Sequence, residues 1–81
     1  MRVKVRLFAS LREAASRSES RLELRDGATA EEAWQALALE LPALAPRRPS
    51  LAVAVNRSYA GFETVLQPDD EVAFIPPVSG G

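Results

Sequence analysis

Chemistry has few places to reside in this chain. None of its 81 residues is histidine or cysteine. A thiol nucleophile, a disulfide framework and a thiolate metal site are therefore excluded, and a zinc or copper centre would lack its usual ligands. Ser10, Ser50, Ser58 and Ser79 have no imidazole to take their protons. Asp69, Asp70 and Glu71 are three adjacent acids, but they lack the spacing of an EF-hand loop and read as a solvated turn able to pair with arginines on a partner. What is left is the run "FIPPVSGG", Phe74 to Gly81, in which Pro76 and Pro77 stiffen the approach to a carboxylate on two residues without side chains. A terminal glycine pair arises by chance in about one chain in two hundred. The residues upstream must decide whether this one is a working group.

The composition narrows the class. At 47% hydrophobic and 26% charged the chain is globular rather than disordered, and its length allows one domain. A net charge of −1 leaves no basic footprint for nucleic acid. The nearest approach to one is Arg47 and Arg48, which lie between prolines and read as a solvated loop. Arg2, Lys4 and Arg6 interrupt any apolar leader, and no stretch approaches the roughly 18 apolar residues of a membrane span, so the expectation is a cytoplasmic protein without membrane or nucleic-acid partners. Lys4 is the only lysine, which argues against ubiquitin-like chains of copies.

The elements that must carry the terminus read as follows. "RVKVRLF" alternates, with Val3, Val5 and Leu7 on one face and Arg2, Lys4, Arg6 and then Phe8 on the other, so Phe8 is the oddity of a basic face. Ser10 and Glu13 have capping-box spacing and predict a short helix. "RLELR" predicts a second strand with Leu22 and Leu24 inward, and Asp26-Gly27 a turn. Thr29 and Glu32 form a second capping box before the main helix, in which Ala30, Ala33, Trp34, Leu37 and Leu41 fall at helical spacing and which stops near Pro42. Trp34 belongs to its core stripe. Residues 42–50 read as loop, "LAVAV" as a third strand, Asn56-Arg57 as a turn, and "YAGFETVL" as a short strand or irregular segment. "EVAFI" is the last strand, and apolar residues on both of its sides suggest cover on both faces.

One long helix early in a set of four or five strands is most economically packed against a single mixed sheet. The fold class is thus α+β, a β-grasp of ubiquitin-like type, with the main helix, a short helix, a folded domain over residues 1–75 and a flexible tail over residues 76–81. The first and last strands would be parallel neighbours, placing Phe8 and Ile75 side by side on the open face.

With those elements in place, "LFASLRE", "AVN" and "DDEVAFIPPVSGG" closely resemble the MoaD family, the small sulfur-carrier subunits of molybdopterin synthase. The resemblance runs the length of the chain. Where the family often has glycine in the acidic turn this chain has Asp69, and where it often has an aromatic before Pro-Pro it has Ile75. The resemblance implies that an adenylating enzyme of MoeB type, using ATP and magnesium, converts the Gly81 carboxylate to an acyl adenylate. A sulfur donor protein then replaces AMP to leave a thiocarboxylate. The large, MoaE-type subunit takes in the tail, in an expected heterotetramer, and sulfur passes to a cyclic pyranopterin monophosphate to form a dithiolene.

On this reading the chain is a carrier with no acid–base catalysis of its own and no bound cofactor. Gly81 is the reactive residue, while Gly80, Ser79, Val78, Pro77 and Pro76 thread into partner sites. Phe8, Tyr59 and Ile75 are the expected docking patch, unless a loop or the short helix covers Phe8. The alternatives are a sulfur carrier for thiamine thiazole or tRNA thiolation, or a protein modifier. The length of the chain, "LFASLRE" and "AFIPPVSGG" favour the pterin pathway. Beyond Pro77 the free tail is expected to be disordered.

Overall fold

A computed structural model describes residues 1–77. The chain forms β1 (Arg2–Leu7), α1 (Ala9–Ala15), β2 (Glu19–Glu23), α2 (Ala30–Glu40), a 3₁₀ segment (Pro42–Ser50), β3 (Ala52–Val55), β4 (Ser58–Ala60) and β5 (Glu71–Ile75). The strands make one sheet in the order β2-β1-β5-β3-β4. β1 pairs with β5 in parallel and every other pairing is antiparallel. A mixed sheet with its first and last strands adjacent at the middle, packed on a helix from the early part of the chain, is the β-grasp arrangement.

The alternation of β1 puts Val3, Val5 and Leu7 into the core, where Val72 and Phe74 of β5 and Val53 of β3 join them. From the helical side come Leu11 and Ala15 of α1 and Ala30, Ala33, Trp34 and Leu37 of α2, all buried. Phe74 is the centre of this packing. Its ring meets Trp34 edge-on at 5.1 Å between centroids and stacks on Phe62 at 6.2 Å, geometries that aromatic quadrupoles favour.

At the start of α2 the orphan backbone donors of Ala30, Glu31 and Glu32 all find acceptors. Ala30 N–H donates to the Thr64 carbonyl and Glu31 N–H to that of Phe62. Glu32 N–H donates to Thr29 Oγ1 at 3.2 Å, and Ala33 N–H to the Thr29 carbonyl. The irregular segment after β4 is thus tied to the helix, with a bridge between Thr29 and Val65. Half of the expected capping box forms: Thr29 caps, but the Glu32 carboxylate turns outward to Arg25 instead of back to the cap.

Several expectations are corrected. Ser10 does not cap α1. The helix begins at Ala9 with Phe8 in the cap position and no side-chain cap, because the backbone leaves β1 abruptly and Leu11 N–H reaches the Phe8 carbonyl. The second strand lies two residues earlier than "RLELR", since the register with β1 sets Leu22 opposite Val3. Leu24, past the strand end, is only partly buried against the core. Residues 42–50 are a 3₁₀ segment rather than a loop. Proline's fixed φ suits that geometry, and Leu44, fully buried, pins it to the core. Nor is Arg48 merely solvated: it bonds to Glu31 Oε1 at 2.9 and 2.6 Å and lies 3.4 Å above the Phe62 ring.

Candidate functional site

β5 is the middle strand of the sheet, but it is not covered on both faces as its composition suggested. The helices take one side and bury Val72 and Phe74, while Ala73 and Ile75 stand half-buried on the other. The cause is topological: both helices and the 3₁₀ segment lie on the core side, so among the described residues no element meets the second apolar face of β5.

The pairing registers explain what forms there. Arg6 lies opposite Ala73, Ala73 opposite Ala54, and Ala54 opposite Tyr59, giving one row across β1, β5, β3 and β4 on the open face. Its two middle positions are alanines and its ends are long side chains, so the row is low in the centre. One residue beyond the Leu7 and Phe74 pair stand Phe8 and Ile75. The result is an open groove of about 350 Å³ lined by Arg6, Phe8, Ala54, Arg57, Tyr59, Glu71, Ala73 and Ile75. The three residues singled out as a patch, Phe8, Tyr59 and Ile75, thus line one depression. Phe8 is 41% exposed and Tyr59 79%, so neither a loop nor α1 covers Phe8. The residues missed at the sequence level were the alanines and the two arginines. Ala54 and Ala73 were legible as small open-face residues only once their strands were in register.

One end of the groove is fixed by a polar knot. Asn56 and Arg57 have φ of 50° and 71°, the paired left-handed residues of a tight hairpin turn between β3 and β4. Asn56 Nδ2 donates to Asp70 Oδ1 at 2.9 Å, Asp70 Oδ2 accepts from Gln67 N–H at 2.8 Å, and Glu71 N–H donates to Asn56 Oδ1 at 2.9 Å. The Asp70 carboxylate therefore works within the fold. Glu71 lies 3.9 Å from Arg57 at the groove wall.

The other end is where β5 delivers the chain out of the sheet. Pro76 is half-buried and Pro77 exposed, directly after Ile75 at the rim. The expected roles of Val78, Ser79, Gly80 and Gly81, and the expected disorder past Pro77, lie outside the described residues. Among the described residues the groove is lined by no acid–base group besides Glu71, paired with Arg57, and the Tyr59 phenol; it is suited to bind an apolar group beside the exit of the chain.

Comparison with known proteins agrees with this plan. A model of the ThiS family matches residues 5–81. The molybdopterin synthase sulfur carrier subunit of Chlamydomonas reinhardtii is 39% identical over 83 aligned positions that span the whole of both chains. That of Arabidopsis thaliana is 35% identical, covering 98% of this chain and 82% of its own. Among solved structures, SAMP1 from Haloferax volcanii superposes with a TM-score of 0.93 at 31% identity, covering both chains completely. With the family model matching nearly its full length and relatives above 30% identity end to end, this chain belongs to the ThiS family, among whose members here are sulfur carriers of molybdopterin synthesis.

Proposed function

We propose that this chain is the sulfur carrier subunit of molybdopterin synthase, bearing sulfur as a thiocarboxylate on Gly81. The observation that carries the reading is the end-to-end similarity to relatives bearing that name, with a family match that runs through Gly80-Gly81. The absence of histidine and cysteine fits a carrier whose partners supply the acid–base groups.

The chemistry follows from the weakness of a carboxylate as an acceptor, since oxide is a poor leaving group. Attack of the Gly81 carboxylate on the α-phosphate of ATP, with magnesium on the phosphates, forms the acyl adenylate and releases pyrophosphate. Sulfide-level sulfur supplied by a donor protein then attacks the acyl carbon, and the C–S bond forms as the C–O bond to phosphate breaks and AMP leaves. Both steps occur inside an adenylating enzyme, where orienting the carboxylate is worth several kcal/mol. Only a thin chain reaches such a site, and glycine brings no Cβ against the channel walls. Pro76 and Pro77 hold the base of the chain extended, reducing an ordering cost of about 1 to 2 kcal/mol per residue. The thiocarboxylate then enters the large synthase subunit, where its sulfur bonds to the pyranopterin and water cleaves the acyl–sulfur bond, regenerating the carboxylate. The groove of Phe8, Tyr59 and Ile75 docks both partners in the cytoplasm, its position beside the exit of β5 aiming the chain at each active site in turn.

The test is intact mass after incubation with ATP, sulfide and the adenylating enzyme, followed by fragmentation of the C-terminal peptide. Gly81 is expected to gain the mass of sulfur for oxygen. Fragmentation is needed because oxidation of Met1 gives nearly the same gain. An unaltered terminus would overturn the reading. A second reading, a protein modifier, is favoured by the likeness to SAMP1, described as a small archaeal modifier protein. Under that reading the same activated glycine would be recovered in amide linkage to lysines of other proteins.

A further inference from the structure

We propose that the protein seated on the groove sets a carboxylate against Arg6, making this guanidinium a determinant of which partner docks; the inference rests on the docking role proposed above. It comes from the way charges pair on the open face. The register of β1 and β2 places Arg2 opposite Glu23, Lys4 opposite Arg21 and Arg6 opposite Glu19. The first is a matched pair, with Arg2 Nε 3.3 Å from Glu23 Oε1. The second sets two cations against each other, and Lys4 escapes by reaching diagonally to Glu19 Oε1 at 3.0 Å. That contact, with smaller contributions from Arg6 and Arg21, holds the Glu19 carboxyl below its ordinary range, and it draws Glu19 to Lys4 and leaves Arg6 with only a distant attraction to it.

Arg6 is left with no ion pair and no side-chain hydrogen bond among the described residues. Its guanidinium lies instead 5.7 Å from the centre of the Phe8 ring, on the β1 wall of the groove. On the far wall Arg57 is largely exposed, and among the described residues its one ion-pair contact is the long 3.9 Å approach to Glu71. The groove is thus rimmed by two cations and one anion in a chain whose net charge is −1. An apolar group laid onto Ala54 and Ala73 would strip water from Arg6, and a desolvated guanidinium without an anion is strongly unfavourable. A partner that fits the groove must therefore bring its own anion. The groove between Phe8 and Tyr59 is floored by Ala54, Ala73 and Ile75 and calls for an apolar anchor that a polyphosphate backbone does not bring, so the anion is the Asp or Glu side chain of a folded partner, placed beside that anchor.

The test measures binding of the full chain to the large subunit of molybdopterin synthase from the same organism, by calorimetry across a range of salt. The variants are Arg6→Gln, Arg6→Lys and Phe8→Asp, each checked for folding by circular dichroism. Arg6→Gln is expected to weaken binding at least about tenfold at low salt and to flatten the salt dependence, while Arg6→Lys retains most of the affinity. Wild-type affinity and salt slope in Arg6→Gln, with binding lost in Phe8→Asp, would overturn the role of Arg6 and leave the docking face standing. Equal losses in Arg6→Gln and Arg6→Lys would also overturn it, because packing of the stem rather than charge would then be at work. Wild-type affinity in Phe8→Asp, or no binding by the unaltered chain, would remove the docking reading itself.

Discussion

Asp69 adopts φ of 68° in the turn that leads into β5, a conformation that costs a residue with a Cβ what glycine avoids. Its backbone N–H donates to the Arg2 carbonyl, and it is Asp70 rather than Asp69 whose carboxylate is bonded to Asn56 and Gln67. The frequent glycine of the MoaD-like pattern at this position thus has a backbone reason. Asp69→Gly should raise stability by up to about 1 kcal/mol, measured as a higher urea midpoint at unchanged slope; a loss would show that the aspartate side chain matters. Phe8 was legible at this scale as the one apolar residue on a basic face, and its exposure agrees. Arg6 was not, because an arginine in an alternating strand looks like any solvated charge until its opposite number is seen to be engaged elsewhere.

At the scale of elements, α2 depends on its first turn. Replacing Thr29 by alanine removes the acceptor for Glu32 N–H and should destabilise the domain by about 1 kcal/mol, seen in thermal or urea unfolding. The outward Glu32 carboxylate is held below its ordinary value of 4.5 chiefly by the hydrogen bonds from Arg25. Because the folded value is the lower one, its contribution is complete above 4.5 and is lost as pH falls through the folded value. The stability gap between the wild type and Glu32→Gln should therefore be present at neutral pH and close in acid, as read from unfolding midpoints across that range. The Thr29 cap was legible because Thr and Glu three apart before an apolar stripe have one local solution. The Ser10 box had the same spacing and failed, because where β1 ends in the sheet fixes the helix start at Ala9. The 3₁₀ segment was hidden by its prolines, whose composition means loop unless a buried residue such as Leu44 anchors it.

For the whole molecule, the sheet and α2 are joined through Phe74, fully buried between Trp34 and Phe62. A domain of this size has a total stability of about 4 to 12 kcal/mol, and truncating a buried phenylalanine to alanine removes about 3 to 5. Phe74→Ala is thus expected to lose most or all cooperative unfolding at 37 °C, visible as a flattened thermal melt. The same strand presents Ala73 and Ile75 to the groove and delivers Pro76 at its rim, so the residue that locks the core also fixes the direction in which the chain leaves the sheet. On the proposed reading, docking and delivery are coupled through one central strand.

The order of strands and main helices, the Thr29 cap, the turns at Asn56 and Asp69, the core place of Trp34 and the Gly-Gly pair are local or periodic properties, and the sequence by itself determined them. Alternation states which side chains share a face, and caps and turns satisfy backbone groups within a few residues. What only the tertiary structure decided is what those faces meet. The β5 pattern is the same whether its second side is covered or bare; the placement of both helices on the core side left it bare. The register across four strands then aligned Arg6, Ala73, Ala54 and Tyr59, residues distant in the chain, into a groove that no local pattern encodes.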